Sequence, residues 1–314
     1  MQVSSPEPGL DLSVVVVNWN TRDLLLKCLT SIYEAMVGLH FEVWVVDNAS
    51  SDNSVMAARE KFPAIHVIHN HRNLGFAAAN NQAFRYIQGR YALLVNTDVV
   101  LTTGAVPELF RFMEHNPEAA MCCGQLLNLD GTKQNSIANF PSLISLLSNE
   151  SLLRILFPKR YPSKRRHYHS PLEVESCIGA CIMVRKKAMD AVGLLDERFF
   201  FFFEETDWAL RMRKGGWKIF FVPSARIFHA QGQSVGQAIQ SRLLYYRSRY
   251  QYLKKWFPKS FPLMGIAVLI RLLINIFLTG LGVLFSFFCL SGLRKKMTIY
   301  LKILFWHLRG CPAP

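Results

Sequence analysis

The stretch YALLVNTDVVL, Tyr91 to Leu101, decides the fold. Its Val/Leu run has the character of a strand buried on both faces, the habit of parallel sheets covered by helices. The run breaks at Asn96-Thr97-Asp98 and then turns apolar again. A simple turn would explain the break, since all three residues favour turns. A site at the carboxyl edge of an open α/β sheet would explain it too, because polar residues at strand ends line one crevice there. Segments upstream weigh on the choice. LSVVVV (12–17) reads as a buried strand closed by Asn18-Trp19-Asn20, and FEVWVV (41–46) as another that ends in Asp47. Three polar strand exits, Asn18, Asp47 and Asn96/Asp98, favour the crevice and with it a nucleotide site.

Helical patterns fill the gaps between these strands. Leu24, Leu25, Cys28, Leu29 and Ile32 recur at helical spacing over 21–36, with Asn20 or Thr21 as the cap. Residues 53–61 predict a second helix and Ile65–His69 a short strand. NLGFAAANNQAFRYI (73–87) predicts a turn at Gly75 followed by a helix. VESCIGACIMVRKKAMDAVG (174–193) predicts a strand leading into a helix. Strands and helices that alternate in this way argue an α/β fold with a largely parallel sheet.

Composition narrows the class. With 314 residues the chain suffices for one large domain or two smaller ones. Its 36 Lys+Arg against 22 Asp+Glu leave a net charge of +14, which points to an anionic partner. A hydrophobic share of 51% and a mean hydropathy of +0.16 favour a membrane surface over nucleic acid. No zinc-finger spacing or Arg/Gly-rich tail supports nucleic acid. The seven cysteines show no pairing pattern, so buried reduced thiols and a cytosolic compartment are expected. MQVSSPEPGLDLS at the start lacks the basic flank and apolar core of a signal peptide, and residues 1–10 are expected to be flexible.

The densest chemistry lies in LLDERFFFFFEETDWALRMRK (194–214), where Glu204, Glu205 and Asp207 follow five consecutive Phe. Apolar surroundings disfavour the charged form of a carboxyl and raise its proton affinity, which suits a general base. Acidic residues in the first turn of a helix ending at Gly215-Gly216 account for the same pattern, and both readings can hold together.

Five segments, SVVVVNWNT (13–21), VVDNASSDNS (45–54), NLGFAAANNQAF (73–84), LLVNTDVVL (93–101) and the block from Cys177 to His229, together resemble family 2 glycosyltransferases of GT-A fold. The likeness is specifically to the bacterial rhamnosyltransferase-type branch and covers roughly residues 11 to 232. It implies a Rossmann-like nucleotide-diphospho-sugar transferase domain over 11–235 and an inverting transfer of a single sugar, without a covalent sugar–enzyme intermediate. Rhamnose or another deoxyhexose on dTDP or UDP is the implied donor. The acceptor would be a polyprenyl-diphosphate-linked glycan at the cytoplasmic face of the bacterial inner membrane. The resemblance implies that Asn18 and Asp47 meet the base and ribose, with Arg72, Asn73 and Gly75 closing the pocket and Asn20, Asn80 and Asn96 among the nucleotide-sugar contacts. Asn96-Thr97-Asp98 looks like the family's D-x-D motif, with Asp98 binding Mg2+ or Mn2+ and His229 where some members place a further ligand. A packed histidine is the other reading of His229. Glu205 aligns with the catalytic base, and Glu204 or Asp207 would support it or bind the acceptor hydroxyl. Asn at position 96 leaves one carboxylate fewer than D-x-D, so weaker metal affinity is expected.

Two further segments complete the reading. An apolar patch, 143–157, precedes the basic run Lys159, Arg160, Lys164, Arg165 and Arg166; it suits an exposed loop, a membrane-touching helix or a cationic acceptor-side flap. The C-terminal region 236–314 predicts helices that associate with membrane lipids, peripherally or through a single span. Leu272–Leu290 is uncharged for 19 residues, about the minimum for a bilayer. Lysines before it and Arg294, Lys295 and Lys296 after it blur orientation. No Q-x-x-R-W motif of processive synthases is present; Gln251 to Trp256 has the wrong spacing. A membrane-anchored nucleotide-binding scaffold with an inactive transferase fold is the competing reading. A nucleotidyltransferase would carry a Gly-rich, cationic loop after the first strand, and NWNTRD (18–23) does not.

Overall fold

A computed structural model describes residues 9–163, 166–230 and 238–311. The flexibility expected of the first residues falls on 1–8, outside the described residues, as do Lys164, Arg165 and the expected boundary at 235. The chain divides into two compact units, 1–140 with 164–234, and 141–163 with 235–314.

In the first unit β1 (Leu12–Asn18), α1 (Arg22–Ala35), β2 (Phe41–Asp47), α2 (Ser54–Lys61), β3 (His66–His69), α3 (Phe76–Phe84) and β4 (Tyr91–Asn96) alternate as the sequence predicts. After a two-residue break come β5 (Val99–Leu101), α4 (Ala105–His115), β6 (Ala119–Leu127) and β7 (Ile137–Ala138). Helices α5 (Leu143–Leu147) and α6 (Glu150–Leu156) belong to the second unit. The first unit resumes with β8 (Leu172–Glu173), β9 (Ser176–Cys177), β10 (Cys181–Arg185), α7 (Lys186–Val192), α8 (Glu204–Lys214) and β11 (Lys218–His229).

The main sheet runs β3-β2-β1-β4-β10-β6-β11-β5, with β8 paired to β11. Strands β1 to β4 are parallel, but β10 is antiparallel to both β4 and β6, and β5 is antiparallel to β11. The sheet is therefore mixed rather than largely parallel.

Alternation along the strands divides the core in two. Val14, Val16, Leu93 and Val95 face one cluster with Leu25 and Leu29 of α1 and Leu109 and Met113 of α4. Val15, Ala92 and Leu94 face the other, with Ala79 and Ala83 of α3, Met189 of α7 and Trp208 and Met212 of α8. Register then aligns the strand ends. Asn18 is opposite Asp47, Asp47 opposite His69, and Val99, one residue past Asp98, opposite His229. All seven cysteines are free; Cys28, Cys122, Cys123, Cys177 and Cys181 are buried and two are exposed.

The second unit adds α9 (Ala238–Trp256), α10 (Phe261–Phe285) and α11 (Ser291–Leu308) to α5 and α6. The segment 141–163, read from sequence as part of the transferase domain, thus groups with the C-terminal helices. Its α5 packs on α10, and the Arg271 guanidinium of α10 reaches the Leu147 carbonyl at 3.5 Å. Helix α10 has 25 residues, about 37 Å of rise, and is long and apolar enough to cross a membrane by length and composition. The uncharged run expected over 272–290 is not one helix: α10 stops at Phe285, and Phe287 and Phe288 take left-handed backbone.

Candidate active site

The carboxyl ends of β1 and β2 form one half of the site. The Asn18 amide donates to Asp47 Oδ1 at 2.9 Å, Ser50 Oγ at 2.9 Å and Ser54 Oγ at 2.7 Å. Its oxygen accepts from Thr21 Oγ1 at 2.8 Å, and the same hydroxyl reaches Thr97 across to β4. Asp47 Oδ2 accepts from the Ser50 N–H at 3.1 Å and lies 3.0 Å from His69 Nδ1. Asn18 and Asp47 are both fully buried. Their polar atoms serve the protein itself, and of the partners of Asp47 it is His69, its side chain 56% exposed, that reaches solvent. His69 was not singled out from sequence, although its place at the end of β3 follows from the same strand-exit logic.

The other predicted nucleotide residues spread over three roles. Asn20 is exposed with φ 52°, and its side chain accepts from the Ser51 N–H at 2.8 Å, which ties the β1 and β2 exit loops together. Asn73 closes the turn by accepting from the Gly75 N–H at 2.9 Å, and Arg72 stands exposed beside it. Gly75 is obligatory on two counts: its φ is 85°, and an added Cβ would fall on the Phe200 carbonyl oxygen and 2.7 Å from Phe200 Cδ2. Asn80 lies buried inside α3 and donates to the Phe76 carbonyl at 2.8 Å, a local helix contact. Asn96 is half-buried at the end of β4, its N–H held by the Ala180 carbonyl at 2.9 Å.

Asp98 and His229 meet at the ends of neighbouring strands. His229 Nε2 lies 3.4 Å from Asp98 Oδ1, with both side chains buried, and the Ala230 N–H fastens to the Asp98 carbonyl at 2.8 Å. The other ring nitrogen, His229 Nδ1, is 2.9 Å from Gln134 Oε1. A carboxylate and an imidazole nitrogen aimed at each other suit a divalent ion that takes its remaining ligands from water and phosphate oxygens. No cluster of three or more His, Cys, Asp or Glu suited to a metal occurs among the described residues, so the protein's share would be this pair.

The acidic segment enters from α8. Phe202 and Phe203 both take left-handed backbone, φ 70° and 69°, which costs about 1–3 kcal/mol per residue. This turn sets Glu204 and Glu205 at the first positions of the helix. Glu204 is buried, and its Oε2 has no hydrogen-bond partner among the described residues. Burial first, and the neighbouring Glu205 second, hold its carboxyl well above the usual range. Glu205 keeps some accessible surface, yet protein packs densely around it, and desolvation pushes its carboxyl up to about 7. A Cβ on Gly179 would sit 3.6 Å from Glu205 Cγ, so the bare backbone of the loop before β10 passes directly along this side chain. That loop also holds the Asn96 N–H through Ala180, which links the Glu205 neighbourhood to the end of β4. Asp207 does not join the pair. It is fully buried and bound at 2.9 Å to Arg211, which also caps the Val192, Gly193 and Leu194 carbonyls. One turn of helix points it inward, into a structural tie.

A mixed sheet with its polar strand ends gathered in this way is the GT-A arrangement. The mannosyltransferase from Pyrobaculum calidifontis, solved with GDP-Man and Mn2+, has this fold; it superposes with a TM-score of 0.58 at 15% identity, covering 96% of this chain and 86% of that one. Residues 13–193 match the model of glycosyl transferase family 2, more than half of the chain, and the chain belongs to that family. Within it the chain is similar to the N-acetylglucosaminyl-diphospho-decaprenol L-rhamnosyltransferase of Mycobacterium tuberculosis, 27% identical over 258 residues, 77% of this chain and 83% of the relative. It is also similar to the low-salt glycan biosynthesis hexosyltransferase Agl10 of Haloferax volcanii, 26% identical over 208 residues, 65% and 62% of the two chains.

Proposed function

We propose that this glycosyltransferase moves a single sugar, rhamnose or another deoxyhexose, from a dTDP- or UDP-linked donor to a polyprenyl-diphosphate-linked glycan, with inversion at the anomeric carbon. The observation that carries this reading is the convergence of Asp98 and His229, 3.4 Å apart at the carboxyl edge of the sheet. A diphosphate departs with developing negative charge, and Mg2+ or Mn2+ held by these two residues would neutralise it. The exit loops of β1 and β2, framed by Asn18, Asp47 and Ser50, and the 72–75 turn would orient the nucleoside. Glu205 would act as the base. As the acceptor hydroxyl attacks the anomeric carbon, its proton passes to the Glu205 carboxylate, and the bond to the diphosphate oxygen breaks on the opposite face. Glu204, kept protonated by its apolar surroundings, would hold negative charge away from that carboxylate.

A lipid-linked acceptor is supported by two features. The M. tuberculosis relative is named for a diphospho-decaprenol substrate. The second unit carries α10 together with exposed apolar side chains on α6 and just after it, Leu152, Ile155, Leu156 and Phe157, next to the cations Lys159 and Arg160. Such a surface suits an anionic bilayer at the cytoplasmic face of the inner membrane, with α10 spanning it or lying in its plane.

The test is release of nucleoside diphosphate from a panel of sugar nucleotides by detergent-solubilised protein, with membrane lipid extract and Mg2+ or Mn2+. One donor should turn over; Asp98→Ala and chelation should abolish it, and Glu205→Gln should slow it about 10²- to 10⁴-fold. Nucleotide binding without turnover, even with candidate lipid-linked acceptors supplied, would refute the reading and favour the scaffold.

A further inference from the structure

A residue outside every motif discussed so far controls how His229 faces Asp98. Gln134 lies in DGTKQNS (130–136), a polar stretch that reads as an ordinary loop. In the fold it is buried, 5% exposed, and pinned through its own backbone: its N–H donates to the Leu126 carbonyl at 2.8 Å, and its carbonyl accepts from Gln125 Nε2 at 3.0 Å. Its side-chain amide grips His229 twice. Nε2 donates to the His229 carbonyl at 2.6 Å, and Oε1 lies 2.9 Å from His229 Nδ1. Nε2 also donates to Asn128 Oδ1 at 2.7 Å.

The identity of the atoms follows from this pattern. A backbone carbonyl only accepts, so the amide nitrogen must be the atom beside it, and the amide oxygen must face the ring. An amide oxygen only accepts, so Nδ1 must carry the hydrogen. In a neutral imidazole that leaves the lone pair on Nε2, the nitrogen turned toward Asp98 at 3.4 Å. Two electron-rich atoms this close take a positive centre between them, either a second ring proton or a cation, and a divalent ion is the cation suited to such a pair.

We propose that Gln134 is the positioning residue that fixes the His229 tautomer and ring orientation, making Nε2 a ligand for the divalent ion at Asp98. The inference rests on the metal reading of the Asp98–His229 pair given above. Gln134 touches neither donor nor ion; it acts through His229, as partners of metal-bound histidines do when they take the second ring N–H. The hairpin Asn128–Lys133 exists in this account to present one amide: the Asn128 N–H bonds to the Thr132 carbonyl, and Gly131 takes the left-handed turn.

The experiment measures Mn2+ binding to the full chain in detergent, by electron paramagnetic resonance of free Mn2+ with UDP present, for wild type, His229→Ala, Gln134→Leu and Gln134→Met. The Met variant keeps the volume of Gln and serves where Leu fails to fold. Ring 15N shifts of histidine in the metal-free proteins report the tautomer independently of metal and of activity. Affinity for Mn2+ should fall about 10–100-fold in the Gln134 variants, and the His229 signals should lose the pattern of an Nδ1–H ring. Mn2+ binding weakened by His229→Ala but kept by Gln134→Met, with unchanged ring shifts, would overturn the inference alone. Wild type that binds no Mn2+, or binding indifferent to His229→Ala, would overturn the metal reading and the inference with it.

Discussion

Glu205→Gln should separate two consequences of one buried carboxyl. Desolvation carries the Glu205 carboxyl from 4.5 to about 7, so about a tenth of the protein holds the ionised base at pH 6 and about nine-tenths at pH 8. The rate constant kcat/KM of the wild type, followed as nucleoside diphosphate release, should therefore climb about tenfold across that interval and level off above it. Glu205→Gln should be slower by about 10²- to 10⁴-fold and nearly flat with pH. Stability moves the other way. The folded protein holds this proton more tightly than the unfolded chain, so stability falls as pH rises from 4.5 through about 7 and stays lower above it. The shift corresponds to about 3 kcal/mol at most, and partial solvent access of Glu205 trims it to about 2 kcal/mol. Glu205→Gln should then be more stable than wild type at pH 8 and close to it at pH 4, read from urea midpoints. A variant that keeps most of its turnover would refute the base assignment, and a wild-type profile with its inflection near 4.5 would refute the desolvation argument.

Three other outcomes are expected. Gly75→Ala should destabilise by about 2–4 kcal/mol, from left-handed strain and loss of the Phe76 N–H to Phe200 carbonyl bond, and should lower kcat more than it raises KM for the donor; an unfolding midpoint within error of wild type would contradict the close approach. Asn18→Ala strips Asp47, Ser50 and Ser54 of a shared donor and should cost about 1–3 kcal/mol with weaker nucleotide binding by calorimetry, whereas unchanged binding would remove this frame from the site. A nitroxide at Phe157→Cys, with Cys289 and Cys311 replaced by Ser, should collide with dissolved oxygen more than with a water-soluble nickel chelate in anionic vesicles; the reverse ranking would place α6 in water.

The half of the site at β1, β2 and β4 was legible because it obeys a local rule. Val/Leu runs closed by Asn18, Asp47 and Asn96-Thr97-Asp98 say at once that strands are covered and where they stop. Glu205 was legible for a similar reason, since five phenylalanines next to carboxyls foretell desolvation. Gln134 and Gly179 were not. Each acts through a contact with a residue 95 or 26 positions away, His229 or Glu205, that no periodicity encodes. Asp207 was ambiguous because acidity in a first helical turn fits both a dipole and a site, and its tie to Arg211 is a contact that no local pattern shows. The domain edge at 141–163 was hidden by chain continuity: α5 packs on α10, more than a hundred residues later.

The 72–75 turn meets the segment that leads to Glu205 at the Phe200 peptide and through the Phe76–Phe201 ring contact. The Phe76 N–H donates to the Phe200 carbonyl at 2.7 Å, and Gly75 has no Cβ because that carbonyl occupies its place. Asn48 holds the other side of the turn, donating to the Gly75 carbonyl at 3.2 Å and bound in turn by Asn70 at 3.0 Å. From Phe200 the chain runs through Phe201 and the strained Phe202 and Phe203 before reaching Glu204 and Glu205. A displacement of the turn therefore has little slack in which to dissipate before it reaches Glu205, because close-packed interiors transmit strain rather than absorb it. The same rigidity accounts for the two left-handed phenylalanines. A turn made with glycines would be free of strain, but it would also leave the carboxyl of Glu205 less fixed relative to the end of β4, and the base role proposed for it needs a near-attack geometry held to a fraction of an ångström.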